Sequence, residues 1–283
     1  MTDTHAPRTG RDALAAGVAR LRRAGIPTPE RDARLLMAAA CDTDPGLLVA
    51  RLPDPLDPAT GDRFDRFILA RCDREPVSRI LGRREFWGRL FRVTPAVLDP
   101  RPETESLVEL ALAEPFDSVL DLGTGSGCIA LTLLAERPRA RATATDLSPD
   151  ALQTASANAA LLGVEDRVRF ERSDWFDAVQ GRFDLIVSNP PYIHPRERGD
   201  LAPEVVRFDP DLALFDTEDG LSAYRRIAAG ARSHLAPDGR LLVEIGWQQR
   251  DAVIAIFRSA GLAQVACHTD LGGRDRVISA RLA

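Results

Sequence analysis

The chain has 283 residues, 45% hydrophobic and 28% charged, a composition that excludes a disordered or fibrous protein and leaves room for one large domain or two ordinary ones. Its net charge of −5 is uneven: residues 1–95 carry 17 arginines against 13 acids and the remainder 20 against 29, which argues against a nucleic-acid backbone as main partner. All 37 basic residues are arginine, excluding lysine Schiff-base chemistry and a P-loop lysine, and the scattered Cys41, Cys72, Cys128, Cys267, His5, His194, His234 and His268 predict no metal site and no disulfide framework.

Residues 12–75 show helical periodicity. Leu14, Val18 and Leu21 form one stripe; Thr28 caps a second helix with Pro29 at its first position, and Leu35, Leu36 and Met37 continue its apolar face. Further apolar groups at Leu47, Leu48 and Leu52, then at Phe64, Phe67, Ile68 and Cys72, imply short helices separated by Pro53, Pro55 and Pro58. This small helical domain holds no catalytic cluster, so partner recognition is its expected duty, with passive packing a comparable reading. Within residues 76–94, the run Arg84 to Val93 alternates on both sides of Gly88 and predicts a β-hairpin between domains. The run Asp99-Pro100-Arg101-Pro102-Glu103-Thr104-Glu105 is a stiff loop leading into a helix through Leu107, Val108, Leu110 and Ala111, and its function is not legible from physics alone.

From Ser118 onward strands and helices alternate. Strands are expected at 118–122, 141–145, 168–173, 183–188 and 240–245, with a closing pair at 265–268 and 277–282. Helices are expected from Cys128, from Pro149 behind a Ser148 cap to about Gly163, over 221–235 and over 252–260. That order predicts an α/β fold with a doubly wound, mostly parallel sheet.

Three strand ends carry chemistry. Gly123-Thr124-Gly125-Ser126-Gly127 is a glycine-rich loop feeding a helix, where ligand atoms can approach the backbone. Its G-x-G-x-G spacing departs from the dinucleotide fingerprint. Asp121, two residues before it, would repel a pyrophosphate but favour the ammonium and sulfonium of S-adenosylmethionine. Asp146 ends the second strand, where an acid can take both hydroxyls of a ribose. Asp174 and Trp175 end the third, placed for an adenine amino group and ring face. Each acid alone reads equally well as a helix cap or surface charge; three in succession read as a nucleoside site.

The fourth strand runs into Asn189-Pro190-Pro191-Tyr192. Its prolines end the ladder and stiffen the turn, so the Asn189 side-chain oxygen and the Pro190 carbonyl can each accept one N–H of a planar NH2 group while the Tyr192 ring packs on its face. An amide or aromatic amine held this way is a candidate nucleophile.

With these motifs in place the chain resembles the class I S-adenosylmethionine-dependent methyltransferases, and within them the protein-(glutamine-N5) methyltransferases that modify peptide chain release factors. The resemblance covers nearly the whole chain. It rests on Arg74-Glu75-Pro76-Val77, Arg84-Glu85-Phe86-Trp87, Pro100-Arg101-Pro102-Glu103-Thr104-Glu105, Asp121-Leu122 with the glycine loop, Ser173-Asp174-Trp175-Phe176 and Ser188-Asn189-Pro190-Pro191-Tyr192. Val243-Glu244-Ile245-Gly246-Trp247-Gln248-Gln249 also looks like the family's fifth-strand segment, and a core strand with its turn is the role assigned to it.

The resemblance implies a seven-stranded Rossmann-like methyltransferase sheet. It implies a helical substrate-recognition domain at 1–75, a hairpin linker at 76–96 and a catalytic domain at 97–283. S-adenosylmethionine would be held by Asp121, Gly123, Thr124, Gly125, Ser126, Gly127, Asp146, Asp174, Trp175 and Asn189, and the glutamine by Asn189, Pro190, Pro191 and Tyr192, with Asn189, Pro190 and Tyr192 catalytic. The implied substrate is the glutamine of the Gly-Gly-Gln loop of class 1 release factors, with no metal. Asn-Pro-Pro-Tyr is shared with adenine-N6 and other amino methyltransferases, so glutamine methylation of a ribosomal protein and adenine methylation of nucleic acid are the rivals, and a cofactor-binding regulator without turnover is a third. No apolar stretch reaches bilayer-spanning length and residues 1–10 are polar without a signal-peptide core, so a cytosolic protein without a membrane partner is expected. Oligomeric state is not legible; a monomer is the working expectation.

Overall fold

The structure is a computed structural model and describes residues 8–282. His5 and most of the polar leader read at residues 1–10 lie outside the described residues. The chain divides into two compact units, the first closing at Gly82 and the second opening at Arg83. Among the described residues no helix is long and apolar enough to cross a membrane.

The first unit consists of helices Gly10–Arg23, Pro29–Ala40, Leu48–Arg51, Pro58–Cys72 and Val77–Leu81. Leu21, Leu36, Met37, Phe64 and Ile68 interlock in its core, as the apolar stripes predict. Inside it Arg71 Nε donates to Asp32 Oδ2 at 2.8 Å, with both side chains almost fully buried. Thr28 stands at the expected N-cap position but its side chain accepts no capping bond; its hydroxyl donates instead to Asp32 Oδ1 at 3.0 Å. Val77–Leu81, grouped with the hairpin on sequence grounds, is helical, entered through Pro76 and ended by Gly82 at φ 65°.

The second unit opens with strands β1 (Arg83–Phe86) and β2 (Arg89–Arg92). Trp87 and Gly88 turn between them at φ 52° and 67°, the positive angles a two-residue hairpin turn of matching twist needs. The hairpin is built into this unit's core: Phe86 and Phe91 pack with Leu107 and Val108. The Trp87 main-chain N–H donates to Glu105 Oε1 at 2.7 Å and its indole N–H to Glu136 Oε1 at 3.2 Å.

The sheet has seven strands: β3 (Ser118–Leu122), β4 (Arg141–Asp146), β5 (Val168–Arg172), β6 (Phe183–Ser188), β7 (Leu235–Glu244), β8 (Leu262–Thr269) and β9 (Asp275–Leu282). Their spatial order is β5-β4-β3-β6-β7-β9-β8, with β9 antiparallel to both neighbours and the other ladders parallel. β7 begins five residues before the expected start at 240, because Leu235 pairs with Phe183 ahead of a register shift. Alternation along the strands sends Val119, Leu185 and Leu242 to one core and Leu120, Ile186, Leu241 and Val243 to the other. Asp184 fastens the start of β6 to β3, accepting from the main-chain N–H groups of Asp117 and Ser118 at 3.0 and 2.8 Å. The strand order reverses between β3 and β6, and the carboxyl ends of these two strands frame the place where open α/β sheets hold ligands.

Candidate active site

A cavity of about 440 Å³ opens at that reversal point. Gly123, Thr124, Gly125 and Ser126 line it from β3, Asp146 from β4, Asp174 and Trp175 from the end of β5, and Asn189 and Pro191 from the end of β6. Nine of the expected site residues therefore meet around one space. Asp121, Gly127, Pro190 and Tyr192 lie behind its wall.

The loop's conformation explains its glycines. Gly123, Gly125 and Gly127 have φ of 72°, 55° and 81°, values that strain any residue with a Cβ. At Gly127 a Cβ would also sit 2.7 Å from Leu131 Cδ1. Two acids then hold the loop. Asp121 is fully buried beneath it, where Oδ2 accepts from the Thr124 hydroxyl at 2.7 Å and from Ala130 N–H at 3.3 Å, while Oδ1 has no partner. Burial pushes its carboxyl up to about 7, against the hydrogen bonds that lower it. Asp146 accepts from Gly125 N–H on Oδ2 and from Ser148 N–H on Oδ1, both at 2.9 Å, and burial raises its carboxyl too. Each of its oxygens keeps room for a second donor. A third support was not legible in sequence: Asn158, fully buried on helix Pro149–Leu162, donates to the Ser126 carbonyl at 2.8 Å and pairs with both main-chain groups of Arg92 in β2.

Trp175 holds the left-handed conformation at φ 54°, which turns the chain directly after β5. Asp174 beside it pairs with Arg226 at 2.9 Å.

Pro190 is buried, and Tyr192 packs against the core on the β7 side of the sheet. Burial pushes the Tyr192 phenol up to about 12. The end of the turn is clamped by Gln249, whose Nε2 donates to the Tyr192 carbonyl at 3.0 Å and to the Gly220 carbonyl at 2.9 Å. Asn189 Nδ2 donates to Thr104 Oγ1 at 3.2 Å, and the Thr104 hydroxyl donates to Glu244 Oε2 at 2.7 Å. Glu244 ends β7, is fully enclosed, and burial pushes its carboxyl up to about 7. The sequence reading left Thr104 in a loop without function and Glu244 in a core strand.

The rest of the wall comes from residues 96–98, Pro100, Arg101 and Thr104, from residues just after the glycine loop and after β4, from Ser173, and from the segment between β6 and helix Ser222–His234 together with that helix's first turns. That segment carries three short helices, Pro195–Asp200, Pro203–Phe208 and Asp211–Leu214, which the sequence reading did not assign. Their signal was present in Pro195, Pro203 and Pro210, each at or just before a helix start. Arg101, which lines the cavity, pairs with Asp209 of this segment at 2.6 Å.

Chemically the cavity joins a backbone-lined loop with an acid and an indole at one end to an amide-presenting asparagine at the other. Residues 12–82 match the family model described as the PrmC N-terminal domain, and residues 101–207 match the methyltransferase small domain. A release factor glutamine methyltransferase of Cereibacter sphaeroides is 59% identical over 271 residues, covering 96% of this chain and 98% of that protein. One of Rhodospirillum rubrum is 45% identical, covering 95% and 83%. Among solved structures, a methyltransferase from Pyrococcus furiosus superposes with a TM-score of 0.53 at 18% identity, covering 69% of this chain and 89% of that one, which bears on the fold alone. Near-complete coverage at such identity decides the matter: the chain belongs to the release factor glutamine methyltransferase family.

Proposed function

We propose that the protein methylates the side-chain amide nitrogen, N5, of the glutamine in the Gly-Gly-Gln motif of class 1 peptide chain release factors, with S-adenosylmethionine as donor. The observation that carries this reading is the state of Asn189: its Nδ2 is engaged by Thr104, and among the hydrogen bonds of the described residues none engages its Oδ1. The side chain thus offers the cavity an acceptor, which suits a substrate NH2.

The residues present fit the donor. Asp146 retains acceptor capacity on both oxygens for the two hydroxyls of a ribose, Trp175 offers an indole face for adenine, and the positive-φ glycines leave the loop backbone open to close approach. When bound, S-adenosylmethionine supplies an electrophilic methyl group on its sulfonium.

An amide nitrogen is a poor nucleophile because its lone pair is delocalised. Asn189 Oδ1 accepts one of its N–H groups, and the Pro190 carbonyl, next along the same turn but outside the cavity lining, is proposed for the other; together they turn its lone pair toward the donor end of the cavity and stabilise the positive charge that develops on nitrogen. The Tyr192 ring supports the turn from behind. The amide proton leaves to solvent after attack. The helical unit and the hairpin are assigned to holding the release factor, in keeping with a cytosolic translation substrate.

The test is parallel incubation of the protein and labelled S-adenosylmethionine with unmethylated release factor, with ribosomal proteins and with DNA. Label on the release factor alone is the expected result; label on either of the others removes the substrate assignment.

A further inference from the structure

The run Pro100 to Glu105 and the carboxylate of Glu244 are the parts of the site region that the proposed reaction does not use. We propose that Glu244, acting through Thr104, fixes which way round the Asn189 side-chain amide stands, and that this makes Asn189 Oδ1 the acceptor for the substrate amide. The inference rests on the reading given above for Asn189. Thr104, which lines the cavity, and Glu244, which is enclosed behind it, act in that reading as positioning residues through Asn189.

The geometry is a three-membered chain, Asn189 Nδ2 to Thr104 Oγ1 at 3.2 Å and Thr104 Oγ1 to Glu244 Oε2 at 2.7 Å, with Thr104 and Glu244 each 2% exposed. Its direction follows from what each group can do. A carboxylate only accepts, so the single Thr104 proton must point to Glu244. Thr104 Oγ1 is then left as an acceptor, and of the two ends of the Asn189 amide only the NH2 can supply it. Oδ1 is thereby turned to the cavity.

Two features set this chain apart from ordinary packing. Thr104 closes the 3-10 turn Pro102–Thr104 and continues in helical conformation, φ −65° and ψ −20°, into helix Glu105–Leu112, so its hydroxyl is not placed to cap that helix. Its hydroxyl is committed to Glu244 and Asn189 instead. The prolines at 100 and 102 stiffen the approach and hold it there. Glu244, meanwhile, is enclosed at a strand end with the Thr104 hydroxyl as its side-chain hydrogen-bond donor among the described residues. Nearby Arg276 directs its guanidinium to Asp270 and the Ile245 carbonyl. Holding a carboxylate there is unfavourable for stability alone.

Protonation of Glu244 would release the constraint. A neutral carboxyl can donate to Thr104 Oγ1, Thr104 can then donate to Asn189 Oδ1, and the NH2 would face the cavity, where it repels a substrate NH2. The charged and titratable groups facing Glu244 are Arg101 and Glu103 on the stiff loop, Arg276 on β9, Tyr192 on the turn, Tyr224 on helix Ser222–His234 and Cys128 after the glycine loop. Burial dominates them and places the change at about 7.

The experiment combines kinetics with a readout that needs no substrate. In nitrogen-15 NMR the Asn189 side-chain NH2 should be protected from solvent exchange at pH 8, and lose that protection in Thr104→Val and in the wild type at pH 5.5. In kinetics Thr104→Val should lower kcat about tenfold, the worth of one hydrogen bond to a polar group, with S-adenosylmethionine affinity within about twofold. Thr104→Ser should restore most of the rate. Wild-type kcat should rise with pH through about 7, and Glu244→Gln should flatten that limb. An unprotected Asn189 NH2 at pH 8 overturns the inference, as does an acid limb that survives in Glu244→Gln. Absence of methyl transfer by the wild type, with the NH2 protected as described, would remove the reading of function while leaving the orientation established.

Discussion

Asn158→Ala tests how the cofactor loop is held. The Asn158 side chain is fully buried and makes three bonds to main chain: it accepts from Arg92 N–H at 2.7 Å and donates to the Arg92 carbonyl at 3.0 Å and the Ser126 carbonyl at 2.8 Å. It completes the open edge of β2 as a neighbouring strand would, and ties that edge to the glycine loop. Truncation leaves a main-chain N–H without its partner, at about 1–3 kcal/mol, and removes two further bonds at about 1 kcal/mol each. Alanine's better helix propensity returns about 0.5 kcal/mol. The expected net loss is about 3 kcal/mol, with S-adenosylmethionine affinity weakened about tenfold because Ser126 loses its anchor. All three tryptophans, Trp87, Trp175 and Trp247, lie in the second unit, so urea unfolding followed by tryptophan fluorescence reports this unit, and calorimetric titration gives the affinity. Asn158→Asp sharpens the test by setting an oxygen against two carbonyls, and should lose at least as much as alanine at pH 8. A loss below about 1 kcal/mol with unchanged affinity would refute the anchoring role.

Four other outcomes follow from the same contacts. Asn189→Ala should lower kcat by about a hundredfold or more, as loss of a donor or acceptor at developing charge does, while leaving donor affinity near wild type in equilibrium titration. Gly127→Ala places a Cβ at φ 81° against Leu131 and should cost about 1–3 kcal/mol in urea unfolding and weaken donor binding. Asp121 has its folded-state carboxyl raised to about 7, so the native form binds more protons than the unfolded one above the unfolded pKa, and stability falls as pH rises through that window. Wild type should therefore lose about 1.4 kcal/mol per pH unit relative to Asp121→Asn between about pH 4 and 7, and no more above it; parallel curves would contradict the assignment. In the first unit Asp32→Ala removes the buried Arg71–Asp32 pair, while Arg71 keeps its bond to the Glu75 carbonyl, and should cost about 2–3 kcal/mol, read by far-ultraviolet circular dichroism during denaturation.

Legibility in the sequence tracked the range of the interaction. β3, β4, β5 and β6 were placed almost to the residue, because buried apolar runs and strand-end glycines and prolines are local signals. The strand-end positions around the cavity were legible for the same reason, since a parallel sheet gathers its carboxyl ends automatically. What escaped was carried across long separations. Thr104, Asn189 and Glu244 come from three distant segments, and nothing local distinguishes a threonine that caps its helix from one that reaches across the sheet. Asn158 looks like any polar residue on a helix until its partners in β2 and the glycine loop are known. Thr28 shows that a local contact can escape too: its cap position was correct, but the hydroxyl bonds the Asp32 side chain one turn on and makes no main-chain cap. Asp121 was expected at the ligand and stands beneath the loop, holding Thr124 and Ala130, because a residue two before the first glycine is still within the buried strand.

The most direct measurement is fragmentation mass spectrometry of an unmethylated class 1 release factor after reaction with the protein and S-adenosylmethionine. The account predicts one added methyl group, located on the glutamine of the Gly-Gly-Gln motif and on its side-chain nitrogen, and absent when Asn189→Ala replaces the wild type. A methyl group on any other residue, or one that Asn189→Ala installs at the wild-type rate, would contradict it.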